Sequence, residues 1–325
     1  MHTRKLGYTD LHLTTVGLGT WAIGGEWAYG WGPQDDGDSL GAIHRAIDLG
    51  INWIDTAAVY GLGHAEEVLG KAIQGRREKL IIATKCGRVG DKAAGTIVGR
   101  LKSESIRREV EDSLRRLKID VIDLYQIHWP QPDEDIEEGW STIADLIQQG
   151  KLRYGGVSNF NVAQLKRIQP IHPVASLQPP YSMLRRDVEA ETLPYCAAND
   201  IGVIVYSPMQ AGLLTGRFTR ERAAGLPEGD WRRRNENFQE PKLSANLALV
   251  DKFRPIAAQN GMTLSQLAIA WVLRRPEVTA AIVGARRPEQ IEETVRGGGA
   301  ALSEGDIAVI EGLLSERARS LASAM

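Results

Sequence analysis

Only two cysteines, Cys86 and Cys196, occur in the 325 residues, too few for the disulfide framework of a small secreted domain. The opening MHTRKLGYTDLHLTTVG holds no apolar core of signal-peptide length, and nowhere do 18 apolar residues run together as a membrane span requires. A cytoplasmic location without a membrane partner is therefore expected. Charge of one sign is lacking too: the formal net charge is −2, which leaves no basic surface of the kind nucleic acid requires. Apolar residues make up 43% of the chain and charged residues 25%, which excludes a mostly disordered protein. The length suffices for a substantial core. One motif is also missing. GLGTWAIGG (17–25) does not have the Gly-x-Gly-x-x-Gly spacing with which a doubly wound sheet of the Rossmann type begins.

What is present is alternation. Strand-like runs occur at TTVGLGT (14–20), NWIDTA (52–57), LIIATK (80–85) and VIDLYQIHW (121–129). They continue at RYGGVS (153–158), ASLQ (175–178), GVIVYS (202–207) and TAAIVG (279–284). Amphipathic patterns lie between them. In SESIRREVEDSLRRLK (103–118), Ile106, Val110, Leu114 and Leu117 fall at helical spacing, with Ser103 or Ser105 as the expected N-cap. IEEGWSTIADLIQQG (136–150) ends in a glycine, a common helix stop. Eight nearly apolar strands separated by helices, without a linker, predict an α/β fold. The expected form is a (β/α)8 TIM barrel made by a single domain over residues 1–325, with a doubly wound sheet as the alternative. Two segments fall outside the repeat. RKLGYTDLHLT (4–14) predicts a β-hairpin that turns near Gly7 to Asp10 and caps one barrel end. The stretch 210–244, after strand seven, is too long for a routine connection and reads as a functional lid or mobile segment.

In such a barrel the chemistry sits at the C-terminal strand ends. Successive strands there present Asp55, Lys85 and His128, and Tyr60 follows Asp55 in the next loop. Singly, each has an ordinary reading: a helix cap, a solvated lysine, a core histidine, a packing tyrosine. Their joint placement at one barrel mouth predicts a site. A phenol titrates near pH 10; an adjacent ammonium lowers that value, and a carboxylate keeps the ammonium charged and in place. His128 can hydrogen-bond a carbonyl oxygen and orient it. The set suits proton delivery during reduction of C=O, with the hydride supplied from elsewhere. A metal centre would need more histidines and carboxylates than this mouth offers, so no metal is expected. A Schiff-base aldolase acting through Lys85 is the rival reading.

Seven motifs, GINWIDTAAVYG, IIATK, DVIDLYQIHWP, GKLRYGGVSNF, SLQPPYS, YSPMQAGLLTGRF and VGARRPEQIEE, resemble the aldo-keto reductase superfamily in order and spacing. The similarity runs from about Lys5 to Leu314. It is strongest to the bacterial branch of inositol-operon and general-stress reductases, which is related to potassium-channel β subunits. The resemblance implies a catalytic tetrad of Asp55, Tyr60, Lys85 and His128, with Tyr60 as acid in reduction and base in oxidation. It also implies NADPH/NADP+ bound across the barrel mouth. Ser158, Asn159 and Gln178 would then hold the carboxamide, Tyr206 would stack on the nicotinamide, and Thr20 and Trp21 would border it; Asp55 would also lie against the cofactor. Along the pyrophosphate the resemblance places Ser207, Pro208, Met209, Gly212 and Leu213, with Arg217 as a phosphate partner. At the adenosine end it places Gly284, Arg286, Gln290 and Glu293. Pro288 resembles a first-turn proline of a helix whose N-terminus attracts phosphate. Arg286 and Arg287 are either a solvated pair or contacts to the 2′-phosphate, which favours NADPH over NADH.

Two positions depart from the family pattern. Thr294 stands where an asparagine is usual, and Ala65 stands where a serine is frequent. WRRR (231–234) reads either as a solvated basic turn or as part of a loop that adds a phosphate contact. Trp21, Trp27, Tyr29, Trp31 and Trp129 are candidate substrate-pocket walls, suited to flat or sugar-like molecules. The expected activity is reversible reduction of an aldehyde or ketone to an alcohol, in a monomer or homo-oligomer. The channel relatives suggest a second reading, a nucleotide-sensing regulatory subunit with little turnover, although no extra partner-binding segment is evident.

Overall fold

The chain begins with a hairpin of β1 (Thr3–Lys5) and β2 (His12–Thr14). The first barrel strands follow as β3 (Val16–Gly19), β4 (Trp53–Asp55) and β5 (Ile81–Cys86). A second hairpin, β6 (Arg88–Asp91) and β7 (Thr96–Gly99), intervenes. Then come β8 (Ile122–Ile127), β9 (Leu152–Ser158), β10 (Ser176–Gln178), β11 (Gly202–Val205) and β12 (Val278–Gly284). The eight strands after the first hairpin, the second hairpin excepted, are parallel, and β12 pairs back onto β3 to close the barrel. This computed structural model describes residues 1–27, 29–91 and 96–323. Each expected strand is present, five of them trimmed at one or both ends, while β5, β9 and β12 each run one residue beyond the expected span.

Helices surround the barrel. They are α1 (Asp36–Asp48), α2 (His64–Ala72), α3 (Ser103–Leu117), α4 (Ile136–Gln148), α5 (Val162–Ile168) and α6 (Thr192–Ala198). They continue as α7 (Arg220–Ala224), α8 (Lys242–Gln259), α9 (Leu264–Leu273), α10 (Pro288–Thr294) and α11 (Glu304–Ser323). The periodicity of α3 puts Ile106, Val110 and Leu117 in the main core with Leu114 packed against it. Neither serine is its cap. The N-cap is Lys102, Ser103 is the first helical residue, and the Ser103 N–H is satisfied by Glu138 Oε1 from α4 at 3.0 Å. Ser105 donates to Glu109 instead. A neighbouring helix thus supplies the acceptor that a local hydroxyl was expected to provide. Among the described residues no helix is long and apolar enough to cross a membrane.

Strand alternation divides the barrel interior into levels. At the N-terminal end Trp53, Ala83, Leu124, Ile204 and Ala280 pack with Leu6, Leu11 and Leu13, so the first hairpin closes the barrel floor as expected. Gly17 admits the Trp53 ring: a Cβ there would stand 2.1 Å from Cε2, an overpacking that costs about 1–3 kcal/mol in a filled core. Two residues further along, the same inward face turns polar. Parallel register sets Lys85 beside Gln126, and Ser158 beside Gln178. The long stretch after β11 is not a bare loop. It folds into short 3-10 turns and α7 and leads into α8.

Candidate active site

Asp55 ends β4 and is buried; its Oδ1 accepts from Lys85 Nζ at 2.6 Å. Lys85, inward on β5, also donates to Thr56 O at 2.8 Å and to Tyr60 Oη at 3.2 Å. Its three N–H donors therefore have three acceptors. Tyr60 is delivered by a tight turn in which Gly61 and Leu62 take positive φ of 59° and 55°. A Cβ on Gly61 would lie 2.1 Å from Gly24 O, so the loops after β3 and β4 meet there backbone to backbone. His128 follows β8, with its N–H on Cys86 O at 3.0 Å and its ring 5.7 Å from the Tyr60 ring, edge to face. All four expected residues stand at one barrel mouth.

Burial, and after it the Asp55 charge, hold the Tyr60 phenol well above its ordinary value. Lys85 beside it does not bring the phenol towards neutral pH, contrary to the sequence expectation, because removal from water outweighs one ammonium that Asp55 largely neutralises. Lys85 itself is lowered by burial, and the Asp55 carboxylate opposes that shift. Burial also pushes His128 well below the usual imidazole value, helped by the Lys85 and Arg88 charges, so the ring is neutral.

A polar belt continues round the mouth. Gln178 Nε2 donates to Asp55 Oδ2 at 2.8 Å, and its backbone oxygen accepts from Ser158 Oγ at 2.8 Å. Asn159, at φ +63°, donates to His128 O and to Ser158 Oγ, each at 3.0 Å, and accepts from Tyr206 Oη at 2.8 Å. Burial raises Tyr206 to about 12, so it stays a neutral phenol. Two partners were missed from the sequence. Gln126 reaches Asp55 at 3.5 Å and Gln178 at 3.4 Å, and Thr56 anchors both Lys85 and Thr20. Gln126 lies two residues before His128, on a strand face otherwise made by Ile122 and Leu124, and that polar intrusion was its signal.

These groups open into a cleft of about 830 Å3 that runs from Tyr60 and His128 to Arg286 and Arg287. Trp21, Trp27, Tyr29, Trp31 and Trp129 all line it, as do Ser207, Pro208, Met209, Gly212, Arg217, Gly284, Gln290 and Glu293. Thr20 and Leu213 do not. Thr20 lies beneath, bonded to Thr56 at 2.7 Å, and Leu213 packs into a separate apolar cluster with Phe218 and Phe238. Ser207, Gln210 and Ala211 have left-handed backbone, a concentration of strain of the kind functional loops carry.

At the far end Arg217 pairs with Glu293 at 2.6 Å. Gln290 Oε1 accepts from the Arg286 N–H at 2.7 Å, and the Arg286 guanidinium binds Gln34 Oε1 and the carbonyls of Trp31 and Pro33. The Arg287 side chain is exposed. Thr294 bonds back to Gln290 O at 2.9 Å within its own helix. The solvated reading of WRRR fails for its first arginine. Arg232 is buried, its Nε donates to Asp230 at 3.0 Å, and its guanidinium lies 4.5 Å from the Trp31 ring centre. Trp231 packs 5.4 Å from Trp21 and 6.1 Å from Trp31. The loops after β3 and β11 thus clasp each other over the cleft.

The Aldo/keto reductase family model matches residues 15–315. The aldo-keto reductase YhdN of Bacillus subtilis is 38% identical over 295 residues, 90% of this chain and 87% of its own. The NADH-specific methylglyoxal reductase of Escherichia coli is 35% identical over 323 residues, 93% of this chain and 94% of its own. Among solved structures, the glycerol dehydrogenase AKR11B4 from Gluconobacter oxydans superposes with a TM-score of 0.88 at 38% identity, covering 97% of this chain and 95% of that one.

Proposed function

The chain belongs to the aldo/keto reductase family, and we propose that it is a nicotinamide-dependent oxidoreductase in which Tyr60 is the general acid for reducing an aldehyde or ketone. The observation that carries this reading is the contact of Tyr60 Oη with Lys85 Nζ at 3.2 Å, fixed by Asp55 and set beside His128. Reduced nicotinamide, when bound, supplies the hydride. The residues present fit such a group: a phenol face at Tyr206, left-handed backbone at Ser207 and again at 210–212, and arginines at the opposite end.

The substrate carbonyl oxygen would lie between Tyr60 and His128. Neutral His128 donates one hydrogen bond and orients it. The raised phenol stays protonated through the neutral range and releases its proton only as alkoxide basicity develops on that oxygen. Lys85 then faces the phenolate left behind. For oxidation the same phenol must first be deprotonated, so that direction gains with rising pH.

NADPH is the preferred cofactor in this reading. The 2′-phosphate would meet Arg287, whose side chain is exposed, rather than Arg286, whose guanidinium is committed to the 31–34 segment. The NADH-specific relative makes this the point to test. Lys85 is a poor Schiff-base nucleophile here, since Nζ is buried with all donors engaged. The buried, unpaired Cys86 and Cys196 accord with a cytoplasmic enzyme, acting as one barrel domain on a small carbonyl or alcohol. A carbonyl and alcohol panel, run with NADPH and NADH and followed by nicotinamide absorbance, tests the reading. Turnover with lower KM for NADPH is expected, and Arg287→Gln should narrow that preference. A cofactor-binding protein that turns over nothing in the panel would favour a regulatory subunit.

A further inference from the structure

Six arginines line the cleft: Arg88, Arg217, Arg222, Arg232, Arg286 and Arg287. Five rise from the segments after β11 and β12, the end at which a dinucleotide's phosphates would lie. Arg88 comes from the opposite side. The chain leaves β5 at Cys86, whose carbonyl accepts the His128 N–H at 3.0 Å. It turns at Gly87, where φ is +83° and a Cβ would stand 2.6 Å from Leu101 Cδ2. The Gly87 N–H is held by Glu109 Oε2 at 2.9 Å. Arg88 therefore enters the same cleft as His128, half-buried, with Nη1 donating to the neutral Gln131 Oε1 at 3.2 Å. Its charge, after burial and Lys85, is among the causes that lower His128.

Three of the four carboxylates in the cleft wall, among the described residues, are engaged elsewhere. Asp55 is bonded to Lys85 and Gln178, Glu293 to Arg217, and the Asp35 carboxylate caps α1 through the Asp38 N–H, while Asp38 stands in the first turn of that helix. Nothing in the hydride or proton transfer needs a cation at residue 88. A substrate with a negative charge does.

We propose that Arg88 is a specificity-determining residue and that the preferred substrates are carboxylated aldehydes or ketones, with the carboxylate facing Arg88 and the C=O facing Tyr60 and His128. A planar, singly charged carboxylate matches one guanidinium, whereas a phosphate dianion would leave a charge unmatched. The aromatic walls at Trp27 and Trp129 would cover the hydrocarbon between the two ends. The reduction itself is unaltered: hydride from the reduced nicotinamide adds to the carbonyl carbon, the proton comes from Tyr60, and the carboxylate leaves unchanged. This inference rests on the reductase reading above.

The test uses the full chain with saturating reduced cofactor and three matched pairs. These are glyoxylate with methylglyoxal, succinic semialdehyde with butanal, and 4-carboxybenzaldehyde with its methyl ester. The wild type should show higher kcat/KM for the charged member of at least one pair. In Arg88→Gln the charged-to-neutral ratio for that pair should fall about tenfold, mainly through KM, since the site is at the rim and partly screened. Arg88→Lys should recover part of it. Cofactor fluorescence and the melting temperature report whether the variants fold. Neutral members equal to or better than their charged mates in all three pairs would overturn the proposal, as would an Arg88→Gln variant that slows both members alike. No reduction of any of the six compounds with either cofactor would overturn the reductase reading, and the proposal with it.

Discussion

At the floor of the cleft Asp55, Lys85 and Gln178 are buried, and each polar side chain meets another at hydrogen-bond distance. In the walls above, the indole N–H groups of Trp27, Trp31 and Trp231 are shut off from solvent without a protein acceptor. Burying such a donor unpaired costs roughly 1–3 kcal/mol. The floor stands on barrel strands, whose backbone is fixed by pairing on both sides. The walls stand on loops, and those loops also contain the left-handed residues Ser207, Gln210 and Ala211. Proton transfer tolerates little displacement, and the residues that hold the Tyr60 loop in place, Asp55 and Lys85, stand on the strands, where the scaffold is stiffest. Recognition must admit and release molecules, so its groups sit where rearrangement is least costly.

Substitutions at the two levels should separate them. Tyr60→Phe removes the proposed proton donor, and kcat should fall by about 10³-fold or more while the cofactor dissociation constant changes by less than about threefold; nicotinamide absorbance and fluorescence titration measure the two. A comparable loss of cofactor binding would break the distinction. Lys85→Met leaves Asp55 buried without its counter-ion, so about 3–5 kcal/mol of stability should be lost in urea unfolding. Adding Asp55→Asn should restore most of the stability but not the turnover.

Glu109 of α3 lies outside the cleft, under the turn that launches Arg88, where it accepts the Gly87 N–H at 2.9 Å. Burial raises its carboxyl to about 7 from an unfolded value of 4.5. Its favourable contribution to folding is therefore complete below about pH 4.5 and is lost as the pH rises through 7, a change of at most about 3 kcal/mol. Glu109→Gln can still accept from Gly87 and donate to Ser105. It should flatten that part of the stability profile, read as the difference between variant and wild-type unfolding free energies at pH 5 and pH 8. An identical profile would place the titration elsewhere.

The smallest effect is expected in the walls. Trp231→Leu removes the ring packed against Trp21 and Trp31, worth about 0.5–1.5 kcal/mol beyond its area. Cofactor affinity should weaken by about 2–10-fold, with a loss of kcat far smaller than that of Tyr60→Phe.

The strand-end residues were legible because a carboxylate, a lysine and a histidine interrupt apolar runs whose period is 2, and that period also fixes which way they point. Gln126 interrupts β8 in the same manner and went unread, since an uncharged amide suggests no chemistry until Asp55 is found beside it. The second hairpin was not legible. Arg88 to Gly99 is short and rich in glycine, without the sustained alternation that marks a half-buried strand. Nor could local sequence show that Glu138 of α4 would satisfy the start of α3, or that Arg232 would be buried.

By itself the sequence determined the barrel, the order of its strands, and the ends at which Asp55, Lys85 and His128 would stand. Hydrophobic periodicity is a local property, and barrel closure turns it directly into position. Only the tertiary structure decided the pairings: Gln178 on Asp55, Arg286 on the 31–34 segment, Trp231 on Trp21, and Arg88 on Gln131. Those contacts join residues far apart in the chain through irregular loops, where side chains choose partners by proximity and desolvation rather than by spacing.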